Sequence, residues 1–172
     1  MNSVKIISGK YKGRKIATPG GATHPMGERE RLALFNMVAP WVDGARVLDA
    51  YAGSGALGME AMSRGAREVV FVEKATGAAK MIRENLRSLG TVGAEICKGK
   101  VGDYKSEGKF EVILADPPYD DFDATEVANL VKYLRPGGVL VLSHPGEAPE
   151  LAGLALEKSR KYAGATLSIY HF

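Results

Sequence analysis

The sequence predicts an α/β protein with a doubly wound, mostly parallel sheet. From residue 46 onward, short apolar runs alternate along the chain with longer segments of helical periodicity. The apolar runs carry hydrophobic residues at successive positions, which is typical of parallel strands that are buried on both faces. Ligands of such sheets bind beyond the carboxyl ends of the strands, where the strand order switches. Functional residues are therefore expected where the apolar runs end.

The N-terminal part is predicted to form a β-hairpin followed by an amphipathic helix. Residues 4–7 and 14–17 are short β-prone runs, and the glycine-containing segment 8–13 between them favours a turn. Apolar residues then recur at helical spacing: Leu32, Phe35, Val38 and Ala39. Because proline lacks the amide hydrogen that a helix interior needs, this helix is expected to end at Pro40.

The rest of the chain alternates between strands and helices. The predicted strands are residues 46–48, 68–72, 94–97, 110–115 and 139–142. The predicted helices are residues 57–64, 75–89 and 122–134, and glycine or proline stops each of them. The last two runs, residues 154–162 and 166–170, flank Ala163-Gly-Ala165 and are predicted to pair as a hairpin.

The composition is ordinary for a soluble globular protein of one domain. The 172 residues are 45% apolar and 25% charged, with a net charge of +3. No apolar run approaches the roughly 20 residues of a membrane helix, and the N-terminus lacks the apolar core of a signal peptide. Cys97 is the only cysteine, so we expect a reducing cytoplasm, no disulfide and no bound metal. We expect one domain over residues 1–172, with residues 1–20 as a hairpin extension and residues 40–172 as the cofactor-binding catalytic core.

A glycine-rich loop, Asp49-Ala-Tyr-Ala-Gly-Ser-Gly-Ala-Leu-Gly58, follows the first predicted strand of the sheet and opens a helix. Glycines allow a tight turn and the close approach of a ligand, and the start of the helix offers partial positive charge. Glu73 ends the next strand, where its carboxylate can accept hydrogen bonds from both hydroxyls of a ribose. The Gly53-x-Gly55-x-x-Gly58 spacing matches the NAD-binding fingerprint formally, but so short a pattern often occurs by chance.

Two features favour S-adenosylmethionine over NAD as the cofactor. Three residues separate Asp49 from Gly53, whereas a dinucleotide-binding loop usually runs directly from its strand into the first glycine. Asp49 would also lie close to the pyrophosphate of NAD, and like charges repel strongly in a partly dry pocket. S-adenosylmethionine has no phosphate, and its ammonium and sulfonium groups would be attracted to this carboxylate. The alternative is that Asp49 only caps the turn that follows it.

The segment Asp116-Pro-Pro-Tyr119 follows the apolar run 110–115 and predicts a site for a flat base. The exocyclic amine of a base is a poor nucleophile because its lone pair is delocalised into the ring. Asp116 and the carbonyl of Pro117 can accept hydrogen bonds from its two hydrogens, and the prolines stiffen the turn that holds both acceptors. Tyr119 can stack on the base, which is worth about 1–3 kcal/mol in comparable sites. The alternative is a rigid turn with an ordinary surface tyrosine.

The glycine loop and the Asp-Pro-Pro-Tyr segment together resemble the amino-methylating branch of the class I S-adenosylmethionine-dependent methyltransferases. Over nearly its whole length the chain also resembles the bacterial 16S rRNA guanine-N2 methyltransferases. The segments that carry this resemblance are Ile6-Ile-Ser-Gly-Lys-Tyr-Lys-Gly-Arg-Lys15, Leu34-Phe-Asn36, Gly53-Ser-Gly-Ala-Leu-Gly58, Ser63-Arg-Gly-Ala66 and Ser168-Ile-Tyr170. The chain departs from the family at Thr23-His24-Pro25-Met26, where the family usually reads Thr-Arg-Pro-Thr, and His24 could replace that arginine only partly at neutral pH.

The resemblance implies a seven-stranded sheet and methylation of the 2-amino group of a guanine in 16S rRNA, within a small-subunit ribosomal particle. The implied cofactor site comprises Asp49, Tyr51, Ala52, Gly53, Ser54, Gly55, Glu73, Lys74, Asp103 and Asp116. The implied catalytic site for the guanine comprises Asp116, Pro117, Pro118 and Tyr119. The candidate RNA-binding residues are Lys10, Tyr11, Lys12, Arg14, Lys15 and Arg29, for which the alternative is a solvated hairpin rim.

Other functions remain open at this point. An amino-methyltransferase that acts on adenine in DNA or on glutamine in a protein could use a similar Asp-Pro-Pro-Tyr turn. From a different class, a nucleotide-binding protein without catalysis could use the same sheet edge to sense a ligand. The sequence leaves the modified nucleotide and the oligomeric state undetermined.

Overall fold

A seven-stranded sheet is the centre of the computed structural model, which describes residues 2–20 and 26–172. The strands are β1 (Asn2–Lys5), β2 (Lys15–Thr18), β3 (Arg46–Asp49), β4 (Glu68–Glu73), β5 (Ala94–Lys98), β6 (Phe110–Ala115), β7 (Leu134–His144), β8 (Ala155–Lys161) and β9 (Thr166–His171). The α-helices are α1 (Glu28–Val42), α2 (Ala56–Ser63), α3 (Thr76–Leu89) and α4 (Ala124–Ala128). Short 3₁₀ helices cover Val101–Asp103, Tyr119–Asp121 and Asn129–Tyr133.

The strand order places a switch point between β3 and β6. The order across the sheet is β5-β4-β3-β6-β7-β9-β8. The five strands from β5 to β7 are mutually parallel, whereas β9 runs antiparallel between β7 and β8. The chain thus builds outward from β3 through β5 and then crosses over to β6 on the other side. This arrangement confirms the predicted seven-stranded, mostly parallel, doubly wound sheet.

Both faces of the sheet are covered, which explains why its strands are apolar at successive positions. In β6, Val112 and Leu114 belong to a core cluster that includes the buried faces of α1, α2 and α3. Ile113 and Ala115 point to the other face and belong to a cluster with α4 and two of the 3₁₀ helices. Since side chains alternate between the faces of a strand, only a continuous apolar run can fill both clusters.

Helix α1 differs from its prediction in length and in orientation. It continues through Pro40 to Val42, so the predicted end at Pro40 is wrong. Proline removes the hydrogen bond to the carbonyl of Asn36, but both residues are exposed, so water can bind that carbonyl. The buried face is also shifted around the helix axis, because Leu32 is 41% exposed whereas Arg31 is buried. The guanidinium of Arg31 donates a hydrogen bond to the carbonyl of Lys5 at 2.7 Å, which a hydrophobic pattern cannot predict.

The segment before β7 also departs from its prediction. Instead of one helix over residues 122–134, α4 ends at Ala128 and a 3₁₀ helix continues to Tyr133. Strand β7 then starts at Leu134 and includes Pro136-Gly-Gly138, which was expected to precede it. The register shifts here, since Leu134 pairs with Phe110 and Val139 pairs with Val112. The extra residues form an exposed bulge, where proline removes no hydrogen bond that the sheet needs.

The N-terminal hairpin forms as predicted and is packed onto the core. Strands β1 and β2 pair antiparallel, and Ile6 and Ile16 are buried in the cluster with α1, α2 and α3. The loop between the strands lies against the C-terminal end of α2, where Lys10 donates a backbone hydrogen bond to the carbonyl of Ser63 at 2.8 Å. A Cβ on Gly9 would lie 1.9 Å from that carbonyl oxygen, so only glycine allows this approach.

Glu60 of α2 anchors the hairpin from inside the protein. Its side chain is 0% exposed, and its two oxygens accept hydrogen bonds from the backbone N–H groups of Ser8 and Ile7 at 3.0 and 2.9 Å. Arg64, one helical turn later, donates a third hydrogen bond at 3.0 Å. A buried carboxylate is stable only when such donors surround it. The hairpin therefore has one defined position relative to α2.

Within residues 2–20 and 26–172, none of the helices has the length and apolar character that a membrane span requires.

We expect Glu60→Gln to lower the free energy of unfolding by about 2–4 kcal/mol. The carboxylate accepts hydrogen bonds from three donors, whereas the amide nitrogen of glutamine carries two hydrogens and would turn them toward donors. Denaturant unfolding measures this change. Glu84→Gln is the matched control, since Glu84 is exposed on α3 and its ion pair with Lys80 is 3.9 Å long. The control should change stability by no more than about 0.5 kcal/mol. Equal effects of the two substitutions would contradict the anchoring role.

Candidate active site

Two carboxylates lie side by side where β3 and β6 end. Asp49 is the last residue of β3 and pairs in register with Leu114 of β6. Asp116 follows Leu114 by two residues, so its side chain leaves the same face of the sheet. Asp116 lies near enough to Asp49 to contribute to raising the pKa of that carboxyl. The switch point of the sheet thus brings together the two sequence-predicted halves of the site.

The glycine loop is held across the ends of three neighbouring strands. The N–H of Ala50 donates to the carbonyl of Leu114 in β6 at 2.9 Å, and the N–H of Ala52 donates to the carbonyl of Val72 in β4 at 3.0 Å. At the start of α2, a Cβ on Gly58 would lie 2.2 Å from the ring of Phe71 in β4. Glycine at this position therefore lets α2 pack closely against the sheet, and the loop is fixed before any ligand binds.

Asp49 has one carboxylate oxygen that is satisfied and one that is not. The side chain is buried, and Oδ2 accepts a hydrogen bond from the N–H of Gly58 at 2.9 Å. Among the described residues, Oδ1 has no hydrogen-bond partner although it is equally inaccessible to water. Burial raises the pKa of Asp49 to about 7, against the opposing effect of the Gly58 N–H. The capping role weighed as an alternative is therefore present, but it leaves a buried acceptor that fits a cationic or hydrogen-bond-donating group of a ligand.

Glu73 is oriented by the loop that it faces. Its Oε2 accepts a hydrogen bond from the N–H of Gly53 at 2.7 Å, and its Oε1 accepts one from the N–H of Ala75 at 2.8 Å. A carboxylate oxygen can accept more than one hydrogen bond, so both oxygens keep capacity for ribose hydroxyls. The two backbone donors fix the carboxylate at the end of β4 in a single orientation, which suits a group that must recognise a sugar.

The other predicted cofactor residues differ in how closely they join this loop. The hydroxyl of Tyr51 donates to Glu126 of α4 at 2.7 Å, and burial raises its pKa above the ordinary value. Glu126 in turn lies against Gly102, in the 3₁₀ helix that contains Asp103. Lys74 and Asp103 are both exposed at the carboxyl edge of the sheet, without a hydrogen bond to the loop among the described residues.

The Asp-Pro-Pro-Tyr turn has a partner that sequence reasoning missed. The hydroxyl groups of Tyr119 and Ser143, at the end of β7, are 2.7 Å apart. Burial raises the pKa of Asp116 to about 6, and the nearby hydroxyl of Ser143 opposes this rise. Ser143 is only 1% exposed, contacts the hydroxyl of Tyr119 and lies near enough to Asp116 to affect the pKa of that carboxyl. Of the two prolines, Pro117 is buried and Pro118 is exposed.

Asn85 of α3 is a second residue that the sequence did not reveal. Its Oδ1 accepts a hydrogen bond from the N–H of Ala17 in β2, and its Nδ2 donates to the carbonyl of Ala17, both at 3.0 Å. The same Nδ2 also donates to the carbonyl of Ser54 in the glycine loop at 3.2 Å. One buried amide therefore links the hairpin to the cofactor loop. The only sequence signal is a polar residue on the apolar face of a helix.

The candidate RNA-binding residues fall at two separate places. The hairpin residues Lys10, Lys12, Arg14 and Lys15 are exposed and Tyr11 is half-buried, at the C-terminal ends of α2 and α3. Helix α2 starts at the carboxyl edge of the sheet and rises about 12 Å over its length, so the hairpin loop lies toward the opposite edge. Arg29, in contrast, belongs to the first turn of α1, with its guanidinium 6.0 Å from the ring centre of Tyr162.

Two further predictions from the sequence concern His24 and the binding of metal ions. His24, which stands where the family usually has arginine, lies outside the described residues. Among the residues that are described, no three His, Cys, Asp or Glu side chains form a cluster that could hold a metal ion.

We expect Asp49→Asn to raise the free energy of unfolding of the ligand-free protein at pH 8, by about 1–3 kcal/mol. The folded-state pKa of Asp49 lies above its unfolded value, so wild-type protein loses stability as the pH rises from about 4 to about 7. Asparagine does not titrate, so the difference in stability between the variant and the wild type should become smaller toward pH 4. Denaturant unfolding across this range tests the sign, with exposed Asp120→Asn as the control. Destabilisation at pH 8 would contradict a buried charge at Asp49.

We expect Ser143→Ala to raise the pKa of Asp116, because the carboxylate loses a nearby hydroxyl that stabilises its charged form. Carboxyl-carbon NMR titration of the ligand-free protein measures that pKa directly. Tyr119→Phe is the matched control, since it removes the other hydroxyl of the 2.7 Å pair and leaves Ser143 free to bond to Asp116. Its Asp116 should titrate as in the wild type or at slightly lower pH. An unchanged pKa in Ser143→Ala would remove Ser143 from the support of this turn.

Comparison with known proteins identifies relatives for the whole chain. A family model described as "Conserved hypothetical protein 95" matches residues 4–171. The "Putative rRNA methyltransferase YlbH" of Bacillus subtilis is 33% identical over 97% of this chain and 98% of its own length. The "Ribosomal RNA small subunit methyltransferase D" of Haemophilus influenzae is 30% identical over 85% of this chain and 81% of its own length.

A solved structure agrees with these sequence relatives. The "Putative methyltransferase yhhF" of Escherichia coli superimposes with a TM-score of 0.89 at 28% identity, covering 98% of this chain and 97% of the other. The strand order described above and this superposition confirm the Rossmann-like fold of the class I methyltransferases, and the curated names confirm the predicted resemblance to small-subunit rRNA methyltransferases. The chain belongs to the Conserved hypothetical protein 95 family.

Proposed function

We propose that this protein transfers a methyl group from S-adenosylmethionine to the 2-amino group of a guanine in 16S rRNA. The observation that carries the proposal is the adjacency of Asp49 and Asp116 at the switch point of the sheet. Asp49 offers a buried, unsatisfied acceptor to a cationic cofactor, and Asp116 offers a carboxylate to an amine. The relatives named as small-subunit rRNA methyltransferases support RNA as the substrate.

The residues of the loop fit S-adenosylmethionine better than a dinucleotide. Oδ1 of Asp49 would accept a hydrogen bond from the ammonium group, and the resulting charge pairing would lower the pKa of this carboxyl. Glu73, fixed by two backbone donors, would bind the ribose hydroxyls. A pyrophosphate beside the buried carboxylate of Asp49 would instead be repelled. When bound, S-adenosylmethionine supplies an electrophilic methyl group on a sulfonium.

Asp116, Pro117 and Tyr119 would hold the guanine. The ionised carboxylate of Asp116 and the Pro117 carbonyl would accept hydrogen bonds from the two hydrogens of the amine and so orient its lone pair, while Tyr119 would stack on the ring. Ser143 keeps Asp116 and Tyr119 in their relative positions. The base has to leave its stack to reach this edge, which costs a few kcal/mol in a duplex and less in a loop.

The substrate would be 16S rRNA, in a small-subunit particle in the cytoplasm. The exposed cations of the hairpin would then contact phosphate groups some distance from the reacting base. A non-catalytic nucleotide-binding protein is the second candidate, because the glycine loop alone would suffice for it. Calorimetry separates the two proposals: S-adenosylmethionine should bind and NAD should not. Binding of NAD alone would refute the methyltransferase proposal.

The decisive experiment is radiolabelled methyl transfer to 16S rRNA from a strain that lacks this enzyme, followed by mapping of the modified nucleoside. The product should be N2-methylguanosine at one position. Labelling of DNA or protein instead, with no label in the RNA, would replace guanine by adenine or glutamine as the acceptor.

We expect Asp116→Ala to reduce transfer at least about 100-fold while the affinity for S-adenosylmethionine stays within a fewfold, because the carboxylate faces the base. In wild-type enzyme, kcat/KM should rise with pH through about 6, where Asp116 becomes ionised. Asp120→Ala removes an exposed carboxylate from the same turn and serves as the control. Equal losses of transfer and of cofactor affinity in Asp116→Ala would show that Asp116 belongs to the cofactor site alone.

A further inference from the structure

A groove of about 540 Å³ lies between the first turn of α1 and the turn that joins β8 to β9. Arg29 and Glu30 line it from α1, and Arg160, Lys161 and Tyr162 line it from the other side. Its volume falls within the roughly 300–1,000 Å³ that is typical of ligand pockets. No sequence motif pointed to this groove as a whole, since its two walls are far apart along the chain.

The groove lies on the same edge of the sheet as the candidate active site. Strand β8 runs parallel to β7, so Lys161 marks its carboxyl end. Lys161 pairs with Thr166, and Thr166 pairs with His144, which directly follows Ser143. Two strand spacings therefore separate Lys161 from the end of β7, a distance of about 10 Å. From the opposite wall, Glu30 lies near enough to Tyr119 to contribute to raising the pKa of its hydroxyl.

The charges in the groove favour an anion. Arg29, Arg160 and Lys161 are exposed, and none of them forms an ion pair with a carboxylate in residues 2–20 and 26–172. Glu30 is the one acidic residue in the described lining. Because Glu30 lies toward Tyr119, an anion is best accommodated at the end formed by Arg160 and Lys161. An arginine fork matches the oxygens of a phosphate, and a lysine adds a mobile point charge.

We propose that this groove binds the sugar–phosphate backbone of the RNA strand immediately beside the target nucleotide. This inference rests on the proposed function and assigns a contact that the hairpin cations cannot make, since their loop lies toward the other edge of the sheet. A base held by Asp116 and Tyr119 must be continuous with a backbone that leaves along this edge. Of the basic surfaces described, the groove is the one beside that exit. Tyr162, half-buried beneath Arg29, offers a ring on which the ribose or the next base can rest.

The test compares two double substitutions that each remove two exposed cations. Arg160→Ala with Lys161→Ala alters the groove, and Arg83→Ala with Arg87→Ala alters the exposed face of α3. Binding to 16S rRNA from a strain that lacks the enzyme is measured over a range of salt concentrations. The groove variant should flatten the dependence of log K on log salt by about 1–1.5, as expected for two lost phosphate contacts on a single strand. The α3 variant should keep the wild-type slope.

Transfer kinetics provide the second measurement. A phosphate contact is made equally in the ground state and in the transition state, so the groove variant should raise KM for RNA about 10-fold and leave kcat within about twofold. Its affinity for S-adenosylmethionine should match the wild type, which also shows that the variant is folded. The inference would be overturned if the groove variant kept both the salt dependence of RNA binding and the KM of the wild type. The proposed function would still stand in that case, provided that the wild type transfers methyl groups to the RNA. The inference would also be overturned if the α3 variant changed the salt dependence and the KM by the same amounts. Exposed cations would then attract RNA wherever they lie on the surface.

Discussion

The structure depends on one electrostatic constraint, the placement of two carboxylates at the switch point between β3 and β6. Parallel pairing of these strands forces Asp49 and Asp116 to the same edge, and burial raises the pKa of both. Two partly desolvated like charges oppose folding near neutral pH. A cationic group beside Asp49 and an amine beside Asp116 would remove that cost on binding. The unfavourable charge arrangement of the free protein is thus a cost to its stability that a cationic ligand would relieve and an anionic one would increase.

The irregular loops around the sheet are held by a few polar side chains. Glu60 binds the hairpin loop, Glu73 binds the glycine loop, and Asn85 joins the two. Ser143 does the same for the Asp-Pro-Pro-Tyr turn. Glu60, Glu73 and Asn85 bind backbone groups that have no partner within their loop, whereas Ser143 binds the side-chain hydroxyl of Tyr119. The loops that would bind cofactor and base are therefore rigid, because each is bonded to a helix or strand of the core.

Sequence reasoning could predict the sheet because burial on both faces imposes continuous apolar runs, and β6 was predicted over its full length, residues 110–115. It could also predict that Asp49 and Asp116 lie at the carboxyl edge of the sheet, because both directly follow such runs. Sequence reasoning failed for residues whose hydrogen-bond partner lies far away along the chain. Ser143 lies 24 residues from Tyr119, Asn85 lies 68 from Ala17, and Glu60 lies 53 from Ile7. The helix end at Pro40 failed for a different reason, because exposure to water makes a proline tolerable there.

An RNA that contacts both basic surfaces of the protein has to span the distance between them. The groove with Arg160 and Lys161 lies at the carboxyl edge of the sheet beside β8, whereas the hairpin loop lies toward the amino edge, at the C-terminal ends of α2 and α3. A single nucleotide or a short strand that enters the active site can touch only the groove. A folded RNA can fill the groove with the strand that carries the target base and reach the hairpin with a second strand. Because the hairpin is anchored by Glu60, the distance between the two contacts is fixed by the protein. If the proposed function holds, such a fixed spacing favours a preformed RNA structure over an unfolded strand.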